Sequence, residues 1–372
     1  MNISGFEKIA PYLTHPLVLV GFVMLLVDFG LHNELRAQES NKEDAAYSLK
    51  TLNSINPEEA LAAYRKAVRL DPNNADRWNE LGNMLLRIGQ LGQAEEAYRK
   101  MLTLGEAHQN KGEQGVALGN LGNVYQAYGD LDKAEEMYQK VYEVLDSKES
   151  MALTYGNLGN VYLLRGNLDK AENMYRKALK LNKALGSKEG MALNYGYLGV
   201  VYKTHGELNQ AKEMYKKALA FHEELGNKEG MAITYGNLGN VYRTHDELDQ
   251  AEEMYKKSLD ISQALGLKEI KARQYTNLGV VYKTRGELDQ AEEMYQKGLE
   301  ITEALGLKEA TAVLYTDLGV LYEQRRYLDQ TEAAWKKSLR LYEEMGAMDA
   351  LNAKMVQQWL DELAQQRTTS TR

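Results

Sequence analysis

The sequence predicts an all-α solenoid of about eight helix-turn-helix repeats, and three observations carry that prediction. The stretch Tyr155-Gly156-Asn157-Leu158-Gly159-Asn160-Val161-Tyr162 returns at forty-residue intervals, at 195–202, 235–242, 275–282 and 315–322. A second pattern follows each copy, as in Leu208, Ala211, Tyr215 and Ala218. Only four prolines occur in 372 residues, which suits a nearly all-helical chain. A fixed period means that each unit buries its apolar face against its neighbours.

The two patterns are two helices. Tyr195, Leu198 and Tyr202 stand at i, i+3 and i+7, one stripe of a first helix. Leu208, Ala211, Tyr215 and Ala218 form the stripe of a second, with Gly206 punctuating the two. Gly226 ends the second helix and Asn227 is placed to cap the next, with Gly186, Gly266, Gly306 and Gly346 at the equivalent place.

Tyr195, Leu198, Gly199, Tyr202, Gly206, Ala211, Tyr215 and Ala218 resemble the tetratricopeptide repeat, over about 41–348. In its forty-residue period the chain is similar to the repeats of kinesin light chain and of the G-protein-signalling modulators. It lacks their long heptad region and their appended C-terminal motifs. The resemblance implies a right-handed superhelix with a concave groove lined by the first helices, and it implies no particular partner.

In chain order, residues 1–40 stand outside the repeats. Leu17 begins eleven uninterrupted apolar residues that end before Asp28. A spanning helix needs about twenty, which the wider stretch 9–31 supplies. The stretch 11–22 is similar to an N-terminal membrane leader of bacterial repeat proteins. A single membrane anchor at 9–31 is therefore expected, with a cleaved signal peptide and an apolar helix packed on the first repeat as alternatives. Repeats follow at 41–74, 75–114, 115–151, 152–191, 192–231, 232–271, 272–311 and 312–348. The first is degenerate and the third is three residues short, near Asp146 and Ser147. At 349–366, Leu351, Met355, Trp359 and Leu363 space a capping helix, and 367–372 reads as a disordered tail.

Composition narrows the function. The net charge is −8 with dispersed lysines and arginines, so nucleic acid is not an expected partner. There is no cysteine. The histidines form no metal-binding pair, and no glycine-rich phosphate loop occurs, so no cofactor, metal, small-molecule substrate or enzymatic activity is expected. Paired carboxylates such as Glu252 and Glu253 precede Lys256 and Lys257 by four residues and read as a solvated helix face. Met174, Met214, Met254 and Met294 read as core or edge filler.

The other side of each first helix is the candidate site. It carries Asn120 and Asn123, Asn157 and Asn160, Asn237 and Asn240, then Asn277. A carboxamide offers donor and acceptor together and can bond a ligand backbone of any sequence. The ladder breaks at Tyr197, Val200, Val280, Asp317 and Val320, which suggests apolar pockets midway. Gly119, Gly156, Gly196 and Gly236 lie on the same face inside a helix, where glycine costs about 1 kcal/mol against alanine. Lys203, Arg243 and Lys283, joined by Arg273, add a basic stripe suited to carboxylates. The expected function is a membrane-tethered, non-enzymatic scaffold. It would hold a protein's peptide segment, acidic or ending in a free carboxylate, across 152–311. The alternative is an assembly module that self-associates through convex or terminal surfaces.

Overall fold

The computed structural model describes residues 57–348 and 350–370. Sixteen α-helices account for nearly all of them, and the chain divides into two compact units at His205 and Gly206.

The first unit contains α1 (Pro57–Leu70), α2 (Ala75–Arg87), α3 (Leu91–Ala107), α4 (Lys111–Tyr128), α5 (Leu131–Val144), α6 (Lys148–Leu164), α7 (Leu168–Leu185) and α8 (Lys188–Thr204). The second contains α9 (Leu208–Glu224), α10 (Lys228–Thr244), α11 (Leu248–Leu265), α12 (Lys268–Arg285), α13 (Leu288–Ala304), α14 (Lys308–Gln324), α15 (Leu328–Glu344) and α16 (Leu351–Ser370). Pairs α2/α3, α4/α5 and α6/α7 stack in the first unit, and α10/α11, α12/α13 and α14/α15 in the second. First helices of adjacent pairs also touch, α2 with α4, α10 with α12 and α12 with α14. Each unit therefore presents a face lined by first helices.

The sequence sets where helices stop and start. Gly226 takes φ +63°, a left-handed value that costs glycine nothing, and Asn227 then accepts a hydrogen bond from the Gly230 amide at 2.8 Å. Asp246 and Arg326 hold φ +61° at the turn where Gly166 and Gly286 stand in other repeats, so those two turns carry strain. The third repeat loses its residues at the end of α5. Leu145 turns extended there and packs where a Cβ on Gly115 would lie.

A glycine–aromatic lock holds each of the stacked pairs together, with tyrosine as the aromatic in all but α14/α15, where Trp335 lies over Gly319. A Cβ on Gly159 would stand 2.5 Å from the ring of Tyr175, and the same holds for Gly122 with Tyr138, Gly239 with Tyr255 and Gly279 with Tyr295. The Leu-Gly of the repeat is thus explained: the glycine is the floor under the second helix's aromatic ring.

Neighbouring pairs are tied on the outside. Tyr162 donates to Glu135 at 2.5 Å, and Arg165 bridges Glu135 and Asp132. In the second unit Tyr282 donates to Glu252 at 2.8 Å and Arg285 bridges Glu252 and Asp249. Burial opposes ionisation of Glu252, but hydrogen bonds from Lys256, Arg285 and Tyr282 prevail and bring it down to about 2. The reading of Glu252 as solvated surface is corrected accordingly. Glu253, paired only with Lys257, keeps that description.

Three terminal expectations change. Residues 1–40, including the span at 9–31, lie outside the described residues. Among the described residues no helix is long and apolar enough to cross a membrane, which overturns the expected localisation through a single span. At the C-terminus the buried stripe of α16 is Ala353, Val356, Trp359 and Leu363, with the Trp359 ring 5.3 Å from Trp335, whereas Leu351 is exposed. The helix also runs to Ser370, through most of the stretch expected as a tail.

Candidate binding face

The structure gives the asparagines internal work. In the first unit Asn123 and Asn160 accept hydrogen bonds from the hydroxyls of Tyr138 and Tyr175, both at 2.6 Å. In the second, Asn240 accepts from Tyr255 at 2.8 Å. Asn83 serves Tyr98 at 2.7 Å. Each tyrosine is buried, and its hydroxyl needs this acceptor. The second asparagine of the motif is thus the partner of the ring that covers the glycine. Asn160, at 1 % exposed, has no surface to offer a ligand.

The first asparagine of each motif is only partly different. Asn120 is buried and donates to Asn79 on the preceding first helix at 2.8 Å, and Asn157 is buried as well. In the second unit Asn237 and Asn277 are half-buried, and Asn277 donates to Gln274 at 3.3 Å. A wide open ladder of carboxamides is not what the first helices present, because neighbouring first helices close over it.

The breaks in the ladder are filled. Tyr197 is buried and stacks on Tyr175 with centroids 4.9 Å apart, and Val200 is buried too. They complete the core of the first unit instead of opening pockets.

The basic residues divide by depth. Lys203 and Arg273 are half-buried and already engaged within the protein. Burial lowers the pKa of Arg273, with Glu269 opposing. Arg243 directs its Nε to the Tyr255 hydroxyl at 3.3 Å. Lys283 is buried, its Nζ 3.6 Å from Asp317 Oδ1. Burial raises the pKa of Asp317, and the charges of Lys283 and Arg243 pull against that rise. No continuous basic stripe results.

The glycines of this face separate the two units. A Cβ added at Gly119, Gly156 or Gly196 would meet nothing within 4 Å, so the helix backbone there lies open. At Gly236 the Gln274 amide occupies that space, 2.9 Å from the added Cβ. Beside the open glycines run Val116, Leu153 and Leu193, one helical turn earlier on the same face, with Leu153 40 % exposed. These apolar residues stand three positions before each glycine in the sequence. Their recurrence beside the glycines was the available signal.

Comparisons with known proteins fit this architecture. The MalT-like TPR region matches residues 143–276. A tetratricopeptide repeat model matches 74–147 and 271–344, and a further TPR repeat model 56–89. With residues 56–344 tiled in this way and helix pairs throughout, the chain is a tetratricopeptide repeat protein. No curated protein shows significant sequence similarity to it. Among solved structures it is similar to a signal transduction ATPase with a tetratricopeptide repeat sensor from Pyrococcus horikoshii (17 % identity, TM-score 0.63, 89 % of this chain and 51 % of that one). It is also similar to the Cut9–Hcn1 hetero-tetramer of APC/C (16 %, 0.56, 87 % and 60 %) and to BtubC (BKLC) of P. vanneervenii (24 %, 0.52, 58 % and 92 %). At these identities the likeness is one of fold.

Proposed function

We propose that the protein is a non-enzymatic interaction scaffold, and that the first-helix face of its first unit holds an extended segment of another protein. One observation supports this above the rest: three successive glycines inside helices, each with open space over it. Helix-interior glycine costs about 1 kcal/mol against alanine, and no side chain among the described residues uses the space. A backbone laid across Gly119, Gly156 and Gly196 would use it. The strip of Val116, Leu153 and Leu193 alongside gives such a segment an apolar edge to bury. The expectation of an acidic ligand rested on Lys203, Arg243 and Lys283, and with Lys283 held by Asp317 and Arg243 turned onto Tyr255 it is not carried forward.

The test begins with a twelve-residue random peptide library panned on the full chain. Selected peptides should lose at least about tenfold in affinity with Leu153→Asp or Leu193→Asp, which place a charge in a desolvated contact. Glu253→Lys and Glu293→Lys, on the second helices, should leave affinity unchanged. Peptides that respond to the glutamate changes and ignore the leucine changes would put the contact on the second helices and overturn this reading.

A further inference from the structure

Of the buried polar atoms in the second unit that have no hydrogen-bond partner among the described residues, two, Tyr295 Oη and Lys283 Nζ, lie in the α12/α13 pair, and the repeat itself shows why the tyrosine is left over. In the pairs with Asn83, Asn123, Asn160 and Asn240, a carboxamide oxygen accepts from the tyrosine hydroxyl of the second helix, at 2.6–2.8 Å. In the α12/α13 pair that asparagine is Val280, and the Tyr295 hydroxyl, on a fully buried ring, has no hydrogen-bond partner. Lys283, on the same face one turn on from Val280, is also unpartnered at Nζ, with a side chain 3 % exposed. Its ion-pair partner Asp317 on α14 stands beyond hydrogen-bond reach at 3.6 Å, and it is the more open of the two, with 16 % of its side chain exposed. Arg243 on α10 completes the cluster, engaged with Tyr255.

Buried donors without acceptors are rare, because each gives up its hydrogen bonds to water and gains none in return. Lys283 supplies donors, Tyr295 a donor, and Asp317 acceptors. The Lys283–Asp317 pair balances its own charge, so a carboxylate entering beside it would face Asp317, and an ammonium would face Lys283. A neutral group with an acceptor oxygen and donor hydrogens on one carbon meets all three without leaving a charge over.

We propose that this cluster is a recognition site for a carboxamide, the side chain of an asparagine or glutamine in a bound protein segment. The ligand oxygen accepts from Lys283 Nζ and Tyr295 Oη, as the missing asparagine would from the tyrosine. Its NH2 donates to Asp317. Entry is along the edge of Asp317, whose side chain is 16 % exposed against 3 % for Lys283. The proposal deepens the scaffold reading and rests on it only in that the carboxamide belongs to a protein segment; the residues lie in the second unit and are tested apart from the glycine face of the first.

Three tripeptides serve as probes, each N-acetylated and C-amidated: Ala-Gln-Ala, Ala-Glu-Ala and Ala-Met-Ala. Binding to the full chain is followed by backbone amide shifts of 268–320 at constant ionic strength. The glutamine peptide should bind at least about tenfold more tightly than the other two, as a hydrogen-bonding site rejects an analogue that leaves its polar groups unpaired. Tyr295→Phe, which removes only an unpartnered hydroxyl and so keeps the fold, should weaken the glutamine peptide. Asp317→Asn removes the negative charge and should reverse the preference toward the glutamate peptide. Leu153→Asp should change none of these values, so that failure of the first unit's face and failure of this site are told apart. Equal binding of glutamine and methionine peptides, tighter binding of glutamate by the native chain, or no binding of any probe, which would leave water as the partner of Lys283 and Tyr295, overturns the proposal.

Discussion

The first-helix faces of the two units are written in nearly the same repeat, yet they differ in what they leave open. In the first unit Gly119, Gly156 and Gly196 expose bare backbone beside Val116, Leu153 and Leu193. In the second, the Gln274 side chain covers Gly236, and threonines 276 and 316 take the glycine slot and turn their hydroxyls back onto Ala272 and Ala312. The second unit places titratable groups where the first buries asparagine: Asp317 stands at the position of Asn120 and Asn157, and His222 occupies that of Asn182. A shared fold code fixes the packing lock and leaves neighbouring positions free to specialise. The lesson is that a repeated residue is not one role: Asn160 and Asn157 differ by a single turn, and so do Gly159 and Gly156.

The largest expected effects test the lock. Gly159→Ala drives a methyl into the Tyr175 ring and should destabilise the first unit by about 1–3 kcal/mol in urea unfolding. Gly279→Ala should do the same to the second unit through Tyr295. Equal tolerance of Gly159→Ala and Gly156→Ala would break the distinction drawn between the two glycines.

Tyrosine hydroxyls give the next effect. Asn160→Ala strands the buried Tyr175 hydroxyl and should cost about 1–3 kcal/mol, although alanine is the better helix former. Tyr295→Phe, where Val280 already denies the hydroxyl a partner, should leave stability unchanged or raise it. A cost for the second as large as for the first would show that Tyr295 has an acceptor after all.

Acid separates the units further. Burial pushes His222 down to about 4 from the ordinary 6.5, so the folded state binds this proton less readily than the unfolded chain. Its contribution is fully present above about pH 6.5 and is lost as pH falls toward 4, at up to about 1.4 kcal/mol per pH unit. His222→Asn, the residue of the equivalent first-unit position, should abolish that loss. Glu252 acts in a lower window: its depressed pKa contributes stability above the ordinary carboxylate range, lost as pH falls from about 4.5 toward 2. Urea midpoints measured from pH 7 to pH 3 would show both steps. A native chain and a His222→Asn variant with the same pH profile would contradict the first.

Arg326→Gly is the smallest change. Relieving a left-handed arginine should add about 1 kcal/mol to the second unit, with no effect on binding. Thermal unfolding measures it.

Much of the fold was legible in the sequence because the forty-residue period, the turn glycines and the Asn227 cap are local signals. The first-helix face was read less well, for a physical reason. The position on the helix shows which way a residue points, but not how closely the next first helix approaches, and that approach sets Asn120 against Asn79. The hydroxyl partners of Asn160 and Asn240 lie fifteen residues on, in the second helix, and are seen only once the pair is folded. Glu252 misled in the same way, since its partners Tyr282 and Arg285 belong to the next pair.

The central claim is that the open glycines of the first unit serve a bound backbone. The direct measurement is calorimetry of a library-selected peptide on the native chain and on the Gly119→Ala, Gly156→Ala, Gly196→Ala triple variant, beside urea unfolding of both. Stability should rise in the variant, by up to about 1 kcal/mol per site, while affinity falls at least about tenfold as three methyl groups stand in the path of the segment. A variant that gains stability and keeps its affinity would contradict the account.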